Sequence, residues 1–408
     1  MKPTVTICYH FYPPDDVVSA RLFADLAEGL VCRGWSVRML TGNRWFHHTE
    51  GSICPSREQM EGVEVVRSWR PNWDQSRHLW RMLNGLWLMA AWWLRVLFSR
   101  RPDVLILGSD PQFTQLLIPF LRLISPRTRI VQWVFDLYPE AIMAHSPGSG
   151  MARLAERLRA PVGLCYRFAD GLVDIGACMR ERLSPYQRKS EPVTLTPWAL
   201  VEPQHAPAPD PELRNKLYGP GVKLVLLYSG HLSRAHEYRP FLALARRLRE
   251  REPGILFAFS QNGHRIEELR EALEEADHNI RFTPFLPLEQ LAGLLASADI
   301  HLASLRSDWW GTVVPSKFFG SMATGRPVLF CGAEKSAIRG WIDEYKVGYF
   351  LNEEQLDETA DLLVDLAGRP EKLRALQQNA FEVYGRHFSR RLVLNGWDAY
   401  LRELLERS

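Results

Sequence analysis

Residues 308–332, DWWGTVVPSKFFGSMATGRPVLFCG, combine a loop, a helical pattern and an apolar strand pattern around one lysine. Pro315 is a favourable first residue for a helix, so we expect Ser316 and Lys317 in its first turn and Gly325 just after its end. The first turn of a helix presents free N–H groups and partial positive charge, which suit a phosphate group. An anionic ligand would explain a lysine at this end of a helix. A solvated surface lysine is the alternative.

A second cationic loop belongs to LLYSGHLSRAHEY, residues 226–238, where it follows an apolar strand pattern. Gly230 allows a ligand to approach the backbone closely, and His231, Arg234 and His236 follow it. The planar fork of an arginine bonds two oxygens of a diphosphate at once. Because both cationic loops follow strand patterns in the same half of the chain, the sequence predicts a diphosphate site there.

Motifs for other phosphate chemistries are absent from the sequence. It contains no D-x-D pair that would hold a metal, no G-x-x-x-x-G-K-[ST] loop and no G-x-G-x-x-G fingerprint. These absences argue against an ATPase and against an ordinary nicotinamide enzyme. We therefore expect diphosphate binding without a metal ion and without a cofactor.

Length and composition indicate a globular protein of two domains. The 408 residues exceed the roughly 250–300 at which a single core stops growing. A content of 46% hydrophobic and 24% charged residues excludes a disordered chain. The six cysteines form no C-x-x-C pair and the first residues lack a signal-peptide pattern, so we expect reduced thiols and a cytoplasmic protein. Residues 1–200 carry a net charge of +6 and the remainder −3, which fits a first domain that meets an anionic surface but not a nucleic acid.

Short apolar runs alternate with helical patterns along the chain, from TVTICYHF and ARLFADLAEGLVCRG to PVLFCG and VGYFL. Repeated β-α units predict an α/β fold with parallel sheets covered by helices on both faces. The proline-rich stretch EPQHAPAPDPEL interrupts the series, which then restarts. We expect doubly wound, Rossmann-like domains at residues 1–200 and 213–386, a linker at 201–212, and a final helix at 387–408 that packs on the first domain.

In this order, YSGHLSRAHEY, FSQNG, FTPFLPLEQLAGLLASADIHLASL and VVPSKFFGSMATGRPVLFCG resemble the donor half of GT-B glycosyltransferases of the retaining family 4, or group 1, type. CYHFYPPDDVVSARLFADLAEGLVCRGWSVRMLTG is similar to the acceptor-side opening of that family, and FDLYPEAI resembles the HDLWPE element of its bacterial exopolysaccharide and O-antigen members. The resemblance implies two domains that face each other across a cleft. It also implies transfer of a hexose or N-acetylhexosamine from a nucleotide diphosphate sugar, usually a UDP-sugar, to a glycan or lipid-linked acceptor with retention.

The resemblance also implies roles for individual residues. Arg234 and Lys317 would be the cations that stabilise the departing nucleoside diphosphate. Asp136 and Glu140 would be the carboxylates that orient hydroxyl groups. The donor site would contain Gly230, His231, His236, Gln261, Asn262, Gly263, Pro284, Phe285, Leu286, Thr312, Val313, Val314 and Ser316. The acceptor side would contain His10, Pro14, Asp15, Ser19 and Arg21. For Asp136, a structural carboxylate at the end of a strand is the alternative.

The chain departs from the family pattern at several positions. Thr312 and Gly320 occupy the places of two glutamates in the donor loop, so ribose must be held by other groups or by the backbone. His231 and His236 occupy places usually taken by arginine and lysine, so Arg234 would compensate. Diphosphate binding would then weaken above a histidine pKa of ~6.5. Phe135 stands where a histidine is common, which excludes a histidine base at that point.

Residues 77–101, RHLWRMLNGLWLMAAWWLRVLFSRR, carry four tryptophans among arginines. The apolar stretch is shorter than the ~20 residues that a membrane span needs. One face of a helix here is expected to pack on the sheet. The outer face would adsorb to an anionic membrane at its cytoplasmic side, with core packing of the whole segment as the alternative.

Two other functions fit the same architecture. A sugar-nucleotide 2-epimerase needs several carboxylates and histidines around the donor, and the donor loop is poor in glutamate. A catalytically silent GT-B binding subunit would keep the fold without activity, and Thr312 and Gly320 are the observations that favour it. Acceptor-dependent release of UDP distinguishes a transferase from both.

Overall fold

A computed structural model describes residues 2–45, 53–74, 77–186, 192–260, 265–284 and 286–407. The backbone contacts divide the chain into two units. Unit 1 comprises Met1–Thr196, Gly311–Val313 and Val393–Ser408, and unit 2 comprises Pro197–Trp310 and Val314–Leu392. Each unit is built around one sheet, and the two sheets are described separately below.

Unit 1 contains an eight-stranded sheet. Its strands are β1 (Thr4–Cys8), β2 (Ser36–Gly42), β3 (Arg57–Met60), β4 (Val63–Ser68), β5 (Val104–Leu107), β6 (Arg129–Trp133), β7 (Gly171–Asp174) and β8 (Val193–Thr194). The order across the sheet is β3-β4-β2-β1-β5-β6-β7-β8, and all neighbours are parallel except β3 and β4. The sequence pattern does not predict β3, because REQM carries only one apolar residue and pairs at the edge of the sheet.

Six helices connect these strands. They are α1 (Val18–Cys32), α2 (His78–Leu97), α3 (Leu117–Ile124), α4 (Glu140–His145), α5 (Gly150–Cys165) and α6 (Ala177–Leu183). The helical spacing of apolar residues in α1 correctly indicates its buried face. The buried residues are Leu22, Phe23, Leu26 and Leu30. The chain then turns at Gly34, whose φ of +90° is a conformation that glycine adopts without strain.

Unit 2 contains a six-stranded parallel sheet in the order β11-β10-β9-β12-β13-β14. Its strands are β9 (Leu224–Ser229), β10 (Ile255–Ser260), β11 (Ile280–Thr283), β12 (Ile300–Ser304), β13 (Val328–Cys331) and β14 (Gly348–Phe350). Its helices are α7 (Pro211–Tyr218), α8 (Arg239–Arg251), α9 (Arg265–Glu271), α10 (Leu288–Ser297), α11 (Lys317–Ala323), α12 (Ala337–Tyr345), α13 (Leu356–Gly368) and α14 (Pro370–Val383). Two sheets dominated by parallel pairs, each connected by helices, confirm the predicted α/β class.

The final helix, α15 (Arg390–Glu406), contributes its residues from Val393 onward to unit 1. Trp397 on this helix is fully buried, and its ring centre lies 5.0 Å from that of Trp133 at the end of β6. The Trp35 indole N–H donates to Asp398 Oδ1 at 2.7 Å. The last helix therefore completes the core of the unit that begins at the other end of the chain.

Helix α11 begins at Lys317, so Pro315 and Ser316 precede it rather than forming its first turn. The Phe318 and Phe319 amides donate to the carbonyls of Pro315 and Ser316, at 3.3 and 3.1 Å, which tightens the entry to the helix. Helix α11 has only seven residues. Its dipole is therefore short, and the charge of Lys317 is the main positive feature at this point.

Gly325 ends the segment as the sequence predicts. Its φ is +67°, and a Cβ there would lie 3.2 Å from the Gln377 carbonyl oxygen, so both conformation and space favour glycine. The next residue, Arg326, is buried and donates to the carbonyls of Ala298 (2.6 Å), Ala296 (2.6 Å), Thr324 (2.9 Å) and Pro207 (3.0 Å). One guanidinium thus joins the end of α10, the end of α11 and the proline-rich stretch.

Within the described ranges, none of the helices combines the length and apolar character that crossing a bilayer demands.

We predict that Arg326→Met destabilises unit 2 by about 3 kcal/mol, because several buried carbonyls would lose their donor. The measurement is urea denaturation of the full chain. Arg386→Met is the matched control, since the Arg386 side chain is 63% exposed and pairs with Glu382 one helical turn away, a surface contact expected to contribute less than about 1 kcal/mol. Equal losses in the two variants would contradict the role given to Arg326.

Candidate functional site

The cationic residues of unit 2 meet where β9 ends and α11 begins. The Lys317 ammonium donates to the His231 carbonyl at 3.0 Å and lies 5.0 Å from the centre of the Tyr228 ring. Gly230 has a φ of +98°, and a Cβ on it would lie 3.4 Å from Lys317 Cε. The structure therefore brings together Gly230, His231 and Lys317, and the glycine lets the loop pass close to the lysine.

Lys317 is half-buried, and removal of its ammonium from water lowers its pKa to about 8. In the part of the chain that the structure describes, it forms no ion pair with a carboxylate. Its contacts are a carbonyl oxygen and an aromatic face, both of which tolerate a cation without neutralising it. Such an ammonium is suited to an anion that enters from outside the protein.

Arg234 and His231 are exposed on the same loop, and Ser316 is exposed just before α11. The exposed guanidinium of Arg234 adds positive charge on the solvent side of this loop. The predicted diphosphate-binding residues of the β9 loop and of α11 thus share one location in unit 2, although they are far apart in the sequence.

His236 does not have the cationic role that the sequence predicts for it. Its Nδ1 lies 2.7 Å from the Ser304 carbonyl, so Nδ1 carries the proton and donates to that carbonyl. Burial, and next the charge of Lys317, lower the pKa of His236 to about 3. This side chain is neutral at neutral pH, and the expected loss of binding above a histidine pKa of ~6.5 is wrong for His236. It positions the loop instead.

Arg265, at the start of α9, also holds this loop and was not predicted. It donates to the His236 carbonyl at 2.5 Å and pairs with Glu237 at 3.5 Å. Its side chain is largely buried. A signal existed in the sequence, because Arg265 follows the strand pattern GILFAFS within the same polar run as the predicted base-binding residues.

The remaining predicted donor residues fall into three groups. Pro284 lies where β11 ends, and its carbonyl accepts a hydrogen bond from Ser260 Oγ of β10 at 2.8 Å. Leu286, two residues further along the chain, is half-buried, and Val314 is buried in unit 2. Thr312 and Val313 belong to unit 1, where the Leu137 amide donates to the Thr312 carbonyl at 2.9 Å. Gln261, Asn262, Gly263 and Phe285 lie outside the described residues.

Gly320, which stands in place of a family glutamate, lies on α11. A Cβ at this position would meet only Leu295, at 3.7 Å, which is ordinary van der Waals contact. The immediate surroundings therefore do not require glycine, and no carboxylate from this position competes with a ligand for Lys317.

In unit 1, polar residues gather just after β1, β5 and β6 end. His10 Nδ1 lies 2.7 Å from Asp110 Oδ1, and Arg81 of α2 lies 3.5 Å from Asp110 Oδ2. Burial lowers the pKa of His10 and outweighs the opposing effect of Asp110. For Asp110, burial alone would raise the pKa, but the hydrogen bond and charge of His10 and the charge of Arg81 bring it below its usual value.

Asp136 lies beside this group. Its backbone N–H and that of Phe135 both donate to Ser109 Oγ at 3.1 Å, which fixes the turn after β6. Burial raises the pKa of Asp136 to about 6, the negative charge of Asp110 adds to the increase, and Arg81 opposes it. Asp136 forms no side-chain hydrogen bond or ion pair within the described part of the chain. This carboxyl group therefore titrates near neutrality without a structural partner, which is typical of functional carboxylates.

Glu140 is arranged differently. Its side chain is buried at the start of α4, and Oε1 accepts from Arg159 Nε and Tyr186 Oη, both at 3.2 Å. Oε2 has no hydrogen-bond partner among the described residues. The ion pair and the tyrosine bond favour a structural role for Glu140, in contrast to Asp136.

The predicted acceptor-side residues are spread over β1, the following loop and α1. His10 joins Asp110, as described above, and Asp15 is buried. Arg21 pairs with Asp25 one helical turn away at 3.2 Å, while Ser19 hydrogen-bonds the Tyr9 hydroxyl. Pro14 is exposed in the loop. Of these five, His10 joins the Asp136 group directly, through its hydrogen bond to Asp110.

Asp110 and Arg81 complete this group and were not predicted as functional. The signal for Asp110 is its position in GSDPQ directly after the strand pattern DVLIL. Arg81 lies within the tryptophan-rich segment, where it follows no strand pattern that would have pointed to this site. The described residues also include no set of three or more His, Cys, Asp or Glu side chains placed to hold a metal ion.

Comparison with known proteins provides independent evidence on the family of this chain. Residues 19–199 match the model of the "Glycosyl transferase 4-like domain", and residues 223–369 match that of "Glycosyl transferases group 1". The chain is 27% identical over 325 residues to the probable glycosyltransferase WbjE of Pseudomonas aeruginosa, which covers 76% of this chain and 77% of that protein. It is 25% identical over 331 residues, 77% of this chain and 79% of the relative, to the putative colanic acid biosynthesis glycosyl transferase WcaI of Escherichia coli K12.

Solved structures show the same fold. Sucrose-phosphate synthase from Thermosynechococcus elongatus aligns over 100% of both chains with a TM-score of 0.76 and 16% identity. HepE of Anabaena, in complex with UDP, aligns over 98% of this chain and 100% of its own with a TM-score of 0.65 and 13% identity. These likenesses confirm the predicted GT-B class of fold.

We predict that Lys317 titrates near pH 8 in the free protein, about two units below an ordinary lysine, because it is withdrawn from water. Sulfate, which does not titrate in this range, should raise that pKa by favouring the charged ammonium. The measurement is the ¹³Cε shift of lysines against pH, assigned with Lys317→Arg. Lys372 is the internal control, since its hydrogen bond to Asp365 raises its pKa. A Lys317 that titrates near pH 10 with or without sulfate would exclude it from an anion site.

Proposed function

This chain belongs to the glycosyltransferases that combine a glycosyl transferase 4-like domain with a group 1 domain, and we propose that it transfers a hexose or N-acetylhexosamine from a UDP-sugar to a glycan or lipid-linked acceptor with retention. The observation that supports this most directly is the half-buried Lys317 ammonium beside Gly230 and the His231 carbonyl, with no carboxylate partner in the described ranges. The UDP complex of HepE supports uridine as the base. The relatives WbjE and WcaI support a role in polysaccharide synthesis.

Departure of UDP is the step in which the residues of unit 2 act. As the bond between the sugar and the diphosphate breaks, negative charge grows on the leaving phosphate oxygen. Lys317 and Arg234 offset that charge, and they are in place before the reaction, so little reorganisation is needed. We propose that these two side chains take the part that a metal ion plays in other transferases and that no cofactor is needed.

Asp136 is the group of unit 1 that we propose to act on the acceptor. Its carboxylate accepts a hydrogen bond from an acceptor hydroxyl and offsets positive charge at the anomeric carbon. The departing phosphate takes the acceptor proton, so no strong base is required. Because the pKa of Asp136 is about 6, the required carboxylate form dominates above that pH and is lost below it. Glu140 supports the turn that carries Asp136.

We predict that Lys317→Ala and Arg234→Ala each lower kcat/KM for the donor by about 30- to 1,000-fold, which corresponds to about 2–4 kcal/mol. The measurement is UDP release from UDP-glucose, UDP-galactose and UDP-N-acetylglucosamine, with and without glycan acceptors, and the anomeric configuration of the product by ¹H NMR. Lys335→Ala and Arg239→Ala remove exposed charges of the same unit and serve as controls.

Each alternative function has its own outcome in this assay. Interconversion of donor sugars without acceptor would identify an epimerase, and donor binding without turnover would identify a silent subunit. Unchanged rates in both site variants would remove these residues from the reaction, and an inverted product would exclude retention.

The tryptophan-rich segment has two faces in the structure. Leu88, Trp92 and Val96 of α2 are buried in unit 1, so Trp92 lies on the inner face of the helix and core packing explains this side. Outward-facing large apolar side chains are concentrated on the adjacent helices α2, α3 and α5 and at the end of α5: Leu79, Met82, Leu86, Trp87, Leu94, Phe98, Phe120, Leu123, Met151, Leu154, Leu158, Leu164 and Phe168. We call this surface the three-helix face.

Exposed arginines belong to the same segments as the three-helix face. Arg77 precedes α2, Arg100 and Arg127 follow α2 and α3, and Arg153 and Arg157 lie on α5. An apolar surface bordered by positive charge complements an anionic bilayer, whose headgroups attract the arginines while the apolar side chains enter the interface. We propose that unit 1 adsorbs peripherally through this face, at the cytoplasmic side of the membrane where a lipid-linked acceptor would be met.

We predict that the double variant Leu94→Glu, Phe98→Glu binds vesicles of phosphatidylglycerol and phosphatidylcholine at least about tenfold more weakly, because burial of two apolar side chains is lost and like charge is added. Phe98 is 82% exposed, so the fold should be preserved. Co-sedimentation measures the binding, and Leu288→Glu on the surface of unit 2 is the control. Absence of binding by the unaltered protein, or equal binding by all variants, would refute membrane adsorption through this face.

A further inference from the structure

Arg70 is a buried arginine just beyond the end of β4. Its backbone N–H donates to Asn43 Oδ1 at 3.0 Å, and its carbonyl accepts from Arg44 Nε at 2.9 Å. These bonds fix Arg70 to the chain that follows β2. Its side chain is held inside unit 1, with only 3% of the residue exposed.

The guanidinium of Arg70 is incompletely satisfied. Nη2 reaches the carbonyls of Arg44 and Trp45 at 3.4 and 3.5 Å, which are long for hydrogen bonds. Nε has no partner among the described residues, and no carboxylate there lies within ion-pair distance. Burial, followed by the charge of Arg44, lowers the pKa of Arg70 to about 10, although the more distant carboxylates of Asp15 and Asp110 oppose the decrease, so Arg70 remains charged at neutral pH. A buried charge without a carboxylate in direct contact is costly, and an anionic ligand would offset that cost.

His10 presents a second unsatisfied atom in the same region. Its Nδ1 donates to Asp110, so Nε2 of the neutral ring is a hydrogen-bond acceptor. Nε2 is buried and has no partner within the described ranges. Thr41 Oγ1 donates to the His10 carbonyl at 2.8 Å, which fixes the backbone of His10 against β2.

Gly42 lies between the two side chains. A Cβ on this residue would be 3.6 Å from His10 Cδ2 and 3.9 Å from Arg70 Nε. The backbone of Gly42 is not left-handed, so its conformation does not require glycine. The missing side chain instead leaves space next to an unsatisfied donor and beside the ring that carries an unsatisfied acceptor.

We propose that these residues form an acceptor subsite in which Arg70 binds an oxyanionic group of the acceptor, a phosphate or a carboxylate, while His10 Nε2 accepts a hydrogen bond from a neighbouring hydroxyl. The Nε–Nη edge of a guanidinium matches two oxygens of either group. Arg44 and Arg81 add positive charge nearby, whereas Asp110 is engaged by His10 and Arg81. The assignment of this subsite to the acceptor rests on the proposed function.

The first test is thermal stability in buffer free of phosphate and carboxylate. Arg70→Met should raise the Tm by a few °C, because it removes an uncompensated buried charge while keeping the volume apolar. If Arg70 were a structural arginine, Arg70→Met would lower the Tm. Arg57→Met is the control, since the Arg57 side chain is 68% exposed and pairs with Glu64 at the surface. A lower Tm for Arg70→Met would overturn the proposal.

The second test is ligand-induced stabilisation of the full chain with UDP held at saturation, so that the donor site is occupied. Inorganic phosphate and glucuronate are titrated separately, with glucose as the neutral control. A saturable rise in Tm with one of the two anions is expected. It should be absent in Arg70→Met, weaker in Arg70→Lys and reduced in Gly42→Ala. The anion that acts identifies the acceptor group as phosphate or carboxylate.

These experiments distinguish failure of the subsite proposal from failure of the proposed function. The subsite proposal is refuted if neither anion raises the Tm, or if Arg70→Met shows the same rise, while UDP still raises the Tm. Failure of the proposed function would appear as no Tm rise with UDP and no UDP release from UDP-sugars, whatever the anions do.

Discussion

Withdrawal of charged groups from water at the carboxyl ends of parallel strands is the constraint that shapes both units. Side chains placed there are partly covered by the loops that follow each strand, so the charged form loses solvation. The same cause lowers the pKa of Lys317, raises that of Asp136 and keeps His236 neutral. What differs is the partner. A carbonyl satisfies the neutral His236. The charged Lys317 contacts a carbonyl and an aromatic face but no carboxylate among the described residues, and Asp136 has no ionic partner there, so both remain available to a ligand.

This distinction separates structural from functional polar groups better than residue type does. Glu140 and Asp136 lie close in sequence and belong to one motif, yet Arg159 and Tyr186 bind the first while only backbone bonds position the second. Arg326 and Arg70 are both buried arginines. Four carbonyls within 3.0 Å satisfy Arg326, whereas the Arg70 guanidinium makes two long contacts within the described part of the chain. A buried charge that is fully hydrogen-bonded holds the fold together, and one that is not suggests a missing ligand.

The sequence was sufficient to predict the α/β class, most strands and the loops that carry the candidate site, because hydrophobic periodicity and strand-end position are local properties. Gly230, His231 and Lys317 could be grouped because each follows a strand pattern. Burial of individual side chains was not predictable in the same way. The neutral state of His236 depends on Ser304, and the group around His10 depends on Asp110, a hundred residues away. Likewise, the periodicity of α2 indicated two faces, but only packing shows that Trp92 is on the inner one.

The replacement of two family glutamates by Thr312 and Gly320 has a consistent electrostatic consequence. A carboxylate on α11 at position 320 would hold ribose hydroxyls, but it would also place negative charge on the same short helix as Lys317. With glycine there, no negative charge from position 320 opposes the positive field at Lys317. Affinity for the donor then depends more strongly on the diphosphate than on the nucleoside. Because diphosphate contacts are charge–charge interactions at a partly exposed loop, we expect donor binding in this chain to weaken with ionic strength more steeply than in a Gly320→Glu variant.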